Sequence, residues 1–240
     1  MQTILENLTE SLKKLFGSDL RALFLYGSAA RGTFCKAVSD INILVVLEKS
    51  SPRKIFEMGS TIKSFLEKHR VNPLVMTQEE LASSADVFPL EYGDIQEANK
   101  LLYGDASVLE MKLCPDMLRY QLEEKLRGAV NDMRYMLLSS GGNEKVLGKL
   151  LLGWSGLCKT LFRGLLRVKE INDVPVDGLL QRITAEYDVC MDSFAALERF
   201  RQGEKVPALE LADTLLETIK TLVRSVDAMK GQANGKGASG

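Results

Sequence analysis

Histidine is nearly missing from this chain: His69 is the only one in 240 residues. Cysteine is scarce as well. Cys35, Cys114, Cys158 and Cys190 are scattered, and no two have zinc-ligand or redox-pair spacing. A Cys/His zinc site, a Ser-His triad and a Cys-His dyad are therefore set aside. Four lone cysteines read as reduced thiols of a cytoplasmic protein. An excess of one charge is missing too. There are 31 Lys and Arg against 32 Asp and Glu, a net charge of −1. No general electrostatic grip on nucleic acid or an anionic membrane is expected, although a local basic patch stays open. Long apolar runs are absent. The most apolar charge-free stretch, Leu150 to Cys158, is too short to cross a bilayer. The first residues carry Glu6 and Glu10 and lack the pattern of a signal peptide.

What is present is ordinary globular usage, 45% hydrophobic and 26% charged, enough for a sizeable core in one large or two small domains. Ile4, Leu5, Leu8, Leu12 and Leu15 predict an amphipathic helix over 3–16, ended by Gly17. Leu20 to Tyr26 reads as a buried strand stopped at Gly27-Ser28, and Ile41 to Leu47 as a second strand rich in β-branched residues. Residues 52–69 read as one helix entered through Ser51-Pro52. Val71 to Met76 is a third strand, marked as an edge or a bulge by Pro73. Thr77 opens a short helix, with Glu80 completing a capping box. Strands alternating with helices predict an α/β unit.

Beyond residue 115 strand signals stop. Leu118, Leu122, Leu126, Val130, Met133 and Leu137 keep helical spacing, and a second long helix carries Leu147, Leu151, Leu161 and Leu165. Two further helical segments are expected over about 176–201 and 207–229. The expected division is an N-terminal domain over 1–105, an all-α bundle over 106–230 and a disordered Gly-rich tail over 231–240.

The most informative stretch is Leu23-Phe24-Leu25-Tyr26-Gly27-Ser28-Ala29-Ala30-Arg31-Gly32, followed by Ser39-Asp40-Ile41-Asn42. Glycine after a strand lets backbone N–H groups approach an anion, and the start of a helix is expected to follow. Ser28 adds a hydroxyl donor, and Arg31 is placed to reach a phosphate. Without a ligand the same residues are simply a turn. Asp40 and Asn42, two apart, share one face at the start of the second strand.

With these residues the chain resembles the nucleotidyltransferase superfamily that includes polymerase β and kanamycin nucleotidyltransferase. That signature is Gly-Ser, a spacer, then Asp-x-Asp, with a third carboxylate from a later strand. The resemblance covers roughly residues 1–105. It implies a small mixed sheet with flanking helices, an α/β (α+β) domain, followed by a helical bundle, with a cleft between them. It also implies a nucleoside triphosphate held by Gly27, Ser28 and Arg31, with Mg2+ at Asp40 and Asn42. Relatives move a nucleoside monophosphate to a hydroxyl.

The departures carry equal weight. The spacer between Ser28 and Asp40 is one residue longer than usual. Asn42 stands in place of the second Asp, and the strand at 71–76 has Asn72-Pro73 and no carboxylate. Asn can coordinate through its carbonyl, but it adds no charge and accepts no proton. Glu91 and Asp94 are candidates to replace a missing carboxylate. The expectation is a nucleotide-binding, sensing or interaction module with a degenerate two-metal site. The alternatives are a slow nucleotidyltransferase and a structural or dimerising protein.

Elsewhere, Lys159, Arg163 and Arg167 form a basic stripe at i, i+4, i+8, read as a solvated face or an anion-binding one. Gly148, Gly156 and Gly164 suggest close helix packing, within the bundle or in a homodimer. Trp154 and Phe88 are expected in the core, and His69 at a helix end. A toxin-type ribonuclease domain is set aside, because no His lies beyond residue 69.

Overall fold

The computed structural model describes residues 1–34, 40–172 and 174–229, with the side chains of 155–157 also outside it. Cys35, Ser39, the side chain of Gly156 and the 231–240 tail therefore lie outside the described residues. The chain divides into two compact units, Met1–Cys114 and Pro115–Gly240.

The first unit is built on a four-stranded mixed sheet of order β3-β2-β1-β4. β1 (Leu20–Tyr26) runs antiparallel to β2 (Ile41–Leu47) and to β4 (Asn99–Gly104), and β2 runs parallel to β3 (Val71–Thr77). Side chains alternate between the two faces of β2. Ile43, Val45 and Leu47 pack with Leu5, Leu8 and Leu12 of α1 (Gln2–Phe16). Leu44 and Val46 pack on the opposite face with Leu81, Tyr92 and Ile95. Helices thus cover both faces, and β2 is apolar apart from Asn42 near its start.

A parallel pair needs a crossover, supplied by α2 (Pro52–Thr61) and α3 (Lys63–His69). The sequence predicts one helix here. The chain instead breaks at Ile62 (φ −101°, ψ 9°), whose side chain is buried in the core below the sheet. β3 is an edge strand, which tolerates Pro73 because one side of it needs no donor. The capping box forms at α4 (Gln78–Ser83): Thr77 Oγ1 accepts from the Glu80 amide, and the Glu80 carboxylate from the Thr77 amide. α5 (Pro89–Glu97) and β4 have no counterpart in the sequence reading. Leu90, at the start of α5, is buried, but Phe88 is exposed rather than in the core.

β4 ends at Gly104, with φ +87°. A Cβ there would sit 2.0 Å from the Arg21 carbonyl oxygen, so only glycine fits. Gly104→Ala should cost at least about 1–3 kcal/mol. Chemical denaturation is the measurement, and an unchanged midpoint would mean that the strand end rearranges freely.

The second unit holds α6 (Pro115–Ser139), α7 (Glu144–Val168), α8 (Leu179–Tyr187), α9 (Asp192–Arg201) and α10 (Ala208–Ala228). The expected continuous segment at 176–201 breaks where Asp188 turns left-handed, at φ 50°. Gly148 of α7 lets the Phe200 ring approach to 3.0 Å of where a Cβ would stand. The basic stripe is not uniformly solvated. Arg163 is buried, whereas Lys159 is half-buried and 3.8 Å from Glu198. Trp154 is half-buried and stacks on Phe194 at 6.4 Å. Among the described residues no helix is long and apolar enough to cross a membrane.

Cys158, buried in α7, has its thiol pushed up to about 12, chiefly by desolvation and then by Glu198. The unfolded chain releases this proton near the ordinary thiol value, about 8.5, and the folded chain keeps it. Stability is therefore whole below about pH 8.5 and falls as pH rises toward 12, by up to about 1.4 kcal/mol per unit. Denaturation at pH 8, 9 and 10 should show that slope, and Cys158→Ala should remove it. The exposed Cys114 and Cys190 should react with a thiol reagent in the native state, and Cys158 should not.

Candidate anion-binding site at the ends of β1, β2 and β3

β1 runs out at Tyr26 into Gly27, which adopts φ +73°. A Cβ on Gly27 would lie 3.0 Å from Asn42 Nδ2, so a side chain is excluded twice, by backbone conformation and by the neighbour. The Gly27 amide donates to the Ala98 carbonyl at 3.3 Å, which ties this turn to the end of α5. The Arg31 amide donates to Gly27 and the Thr33 amide to Ser28, each at 3.0 Å. Residues 27–32 form a run of turns rather than the expected helix start, and Gly32 (φ +75°) takes the chain out of helical geometry. The amides of Ser28, Ala29 and Ala30 donate to no backbone carbonyl among the described residues, nor does the Ser28 hydroxyl have a side-chain partner there.

The Arg31 guanidinium points to α5. Its Nη1 donates to Glu97 Oε1 at 2.9 Å, and its Nη2 to the Asp94 carbonyl at 3.3 Å, with the Asp94 carboxylate 3.7 Å away. Only 14% of the Arg31 side chain and 11% of Glu97 are exposed. Arg31 thus braces the turn against α5. Asp94, a candidate replacement acid, belongs to this cluster, and Glu91 lies exposed in the first turn of α5.

Asp40 precedes β2 and Asn42 lies within it. The parallel register pairs Ile41 with Val71 and Asn42 with Asn72. One step back, it sets Asp40 beside Arg70. Arg70 Nε donates to Asp40 Oδ1 at 2.8 Å, with both side chains about half exposed. Asn72 Nδ2 lies 3.4 Å from Asn42 Oδ1. Register therefore brings together two pairs, Asp40–Arg70 and Asn42–Asn72, and Asn42 also reaches Gly27. Asn72 stands where the sequence reading looked for a third acid. Arg70 escaped it, although Arg70-x-Asn72 mirrors Asp40-x-Asn42 in spacing. Tyr26, opposite Asn42, has its phenol pushed above the usual range by desolvation.

A resident pair of divalent ions needs several anionic oxygens on one spot. Among the described residues Asp40 is the one carboxylate at these strand ends, and it already faces a guanidinium. Among the described residues no group of three His, Cys, Asp or Glu gathers as a metal site. The donor set here does not fit a two-metal centre.

The nucleotidyltransferase domain family matches residues 5–125, about half of the chain. This chain belongs to that family. A curated relative from Methanocaldococcus jannaschii, provisionally named a protein adenylyltransferase, is 29% identical over 108 residues, covering 43% of this chain and 71% of the relative. Among solved structures, the spectinomycin adenyltransferase of Enterococcus faecialis, determined with ATP and spectinomycin, matches with a TM-score of 0.60. It is 13% identical, over 95% of this chain and 99% of its own, a likeness of fold. Members of the nucleotidyltransferase family normally use a divalent metal with the nucleotide. The matched span takes in the Gly27–Gly32 turn and the starts of β2 and β3.

Proposed function

We propose that this nucleotidyltransferase-family chain binds a nucleoside triphosphate at the Gly27–Ala30 turn and transfers nucleotide slowly or not at all, serving as a nucleotide-sensing or interaction module. The observation that carries this reading is the pairing at the strand ends. Amides and a hydroxyl suited to phosphate are available in the turn, while the acids that would drive transfer are replaced by Asn42 and Asn72 or faced by Arg70. The amides of Ser28, Ala29 and Ala30 and the Ser28 hydroxyl contact the phosphates, Gly27 allows the close approach, and Arg31 holds the turn in shape.

Calorimetric titration with each nucleoside triphosphate, alongside an assay for transfer of labelled nucleotide, tests the reading. Binding without turnover supports it. Absence of binding favours a structural or dimerising role. Asp40 is the feature that favours a slow transferase, in which case turnover is lost in Asp40→Ala. The name of the archaeal relative makes a protein hydroxyl the first acceptor to try.

A further inference from the structure

We infer that Arg70 is the resident cation of this site, so that the triphosphate binds directly to protein donors and does not require a divalent metal. This rests on the nucleotide-binding reading above.

The first observation is the backbone of Arg70. It sits at φ 53°, ψ 39°, the left-handed position that ends α3. Glycine adopts that conformation without penalty and an arginine does not. The helix end by itself needs no guanidinium, and the strained position aims one at Asp40.

The second is the polarity of the neighbours. A metal site presents acceptors, whereas this one presents donors. Asn72 Nδ2 donates to Asn42 Oδ1, Asn42 Nδ2 lies 3.0 Å from where a Cβ of Gly27 would stand, and Arg70 Nε donates to Asp40. Amide N–H groups donate straight to phosphate oxygens, and a guanidinium matches phosphate geometry in two bonds. Arg70 also lines, with Lys68 and His69, a cavity of about 330 Å³ whose walls include Phe34 and Ile41.

The third is magnitude. The Asp40–Arg70 pair is half exposed, and ion pairs of that kind hold only weakly. A triphosphate carries several charges and competes with Asp40 for the guanidinium. Asp40 then acts as a weak holder that the anion displaces.

Asp40 gives opposite signs in the two accounts. As a metal ligand, its loss weakens Mg-ATP binding. As the carboxylate competing for Arg70, its replacement by Asn tightens ATP binding, by about threefold to tenfold. The test titrates ATP in EDTA and in excess Mg2+ into the full chain and into Arg70→Gly, Arg70→Lys and Asp40→Asn, with thermal melts confirming that each is folded. Arg70→Gly relieves the backbone strain, so its fold should be at least as stable as the parent's.

The expected result is ATP binding in EDTA at least as tight as with Mg2+. It should weaken about tenfold or more in Arg70→Gly, recover in part in Arg70→Lys, and tighten in Asp40→Asn. Binding that requires Mg2+, or that Arg70→Gly leaves unchanged, would overturn this inference and leave the nucleotide-binding reading standing. No binding in either condition would overturn both.

Discussion

Arg31→Ala should lower the stability of the N-terminal unit by about 2–3 kcal/mol, somewhat below the roughly 3–5 kcal/mol expected when one partner of a fully buried pair is removed. The reason is what it leaves behind. Glu97 and Asp94 are largely covered, and each would lose the Arg31 guanidinium. The turn would also lose its brace to α5, although the bond from the Gly27 amide to Ala98 remains. Adding Glu97→Gln to Arg31→Ala should recover part of the loss, because the covered charge that has lost Arg31 is the expensive element. Urea denaturation of the two single variants and the double variant measures the coupling. An Arg31→Ala protein as stable as the parent but unable to bind ATP would show that Arg31 is a phosphate ligand and not a brace.

The second large effect is the creation of a metal site. Asn42→Asp with Asn72→Asp places two carboxylates opposite each other in adjacent strands, beside Asp40. Without metal the repulsion between facing like charges should cost about 1 kcal/mol or more and lower the melting temperature. Mn2+ should reverse this. At a hundred times its dissociation constant a ligand that binds only the folded state adds about 2.7 kcal/mol. The parent, with its Asn pair, should show no comparable Mn2+ dependence. Fast nucleotidyl transfer should not return with these two changes alone, because Arg70 still competes for Asp40. A parent protein whose melting temperature rises with Mn2+ as much as the double variant's would contradict the donor-set argument.

Much of the fold is legible along the chain because the signals are local. The spacing of Leu5, Leu8 and Leu12 predicts α1, and those side chains are buried. The apolar run Ile41 to Leu47 predicts β2, and Thr77 with Glu80 predicts the cap of α4. The elements that escape the sequence are those whose pattern is set by distant neighbours. β4 is a mostly exposed edge strand in which only Leu101, Leu102 and Tyr103 are apolar, so it has a weaker apolar signal than a central one. The break at Ile62 is enforced by burial of that side chain and leaves no helix-breaking residue to read. Asp188 ends α8 in a left-handed turn that Asp tolerates without announcing it.

The candidate site divides in the same way. Which residue types occupy it is a property of the sequence alone: Gly27-Ser28, Asp40, and Asn at 42 and 72 follow from spacing and from the chemistry of each side chain. What each of them meets was decided by tertiary structure. Arg31, read as a phosphate ligand, meets Glu97 of α5, more than sixty residues on, at 2.9 Å. Asp40, read as a metal ligand, meets Arg70 through the parallel register of β2 and β3. Charge partners separated by whole elements of chain leave no periodicity for a sequence to carry. Only the closing of the sheet determines which cation each carboxylate meets, and with it whether this site presents acceptors to a metal or donors to an anion.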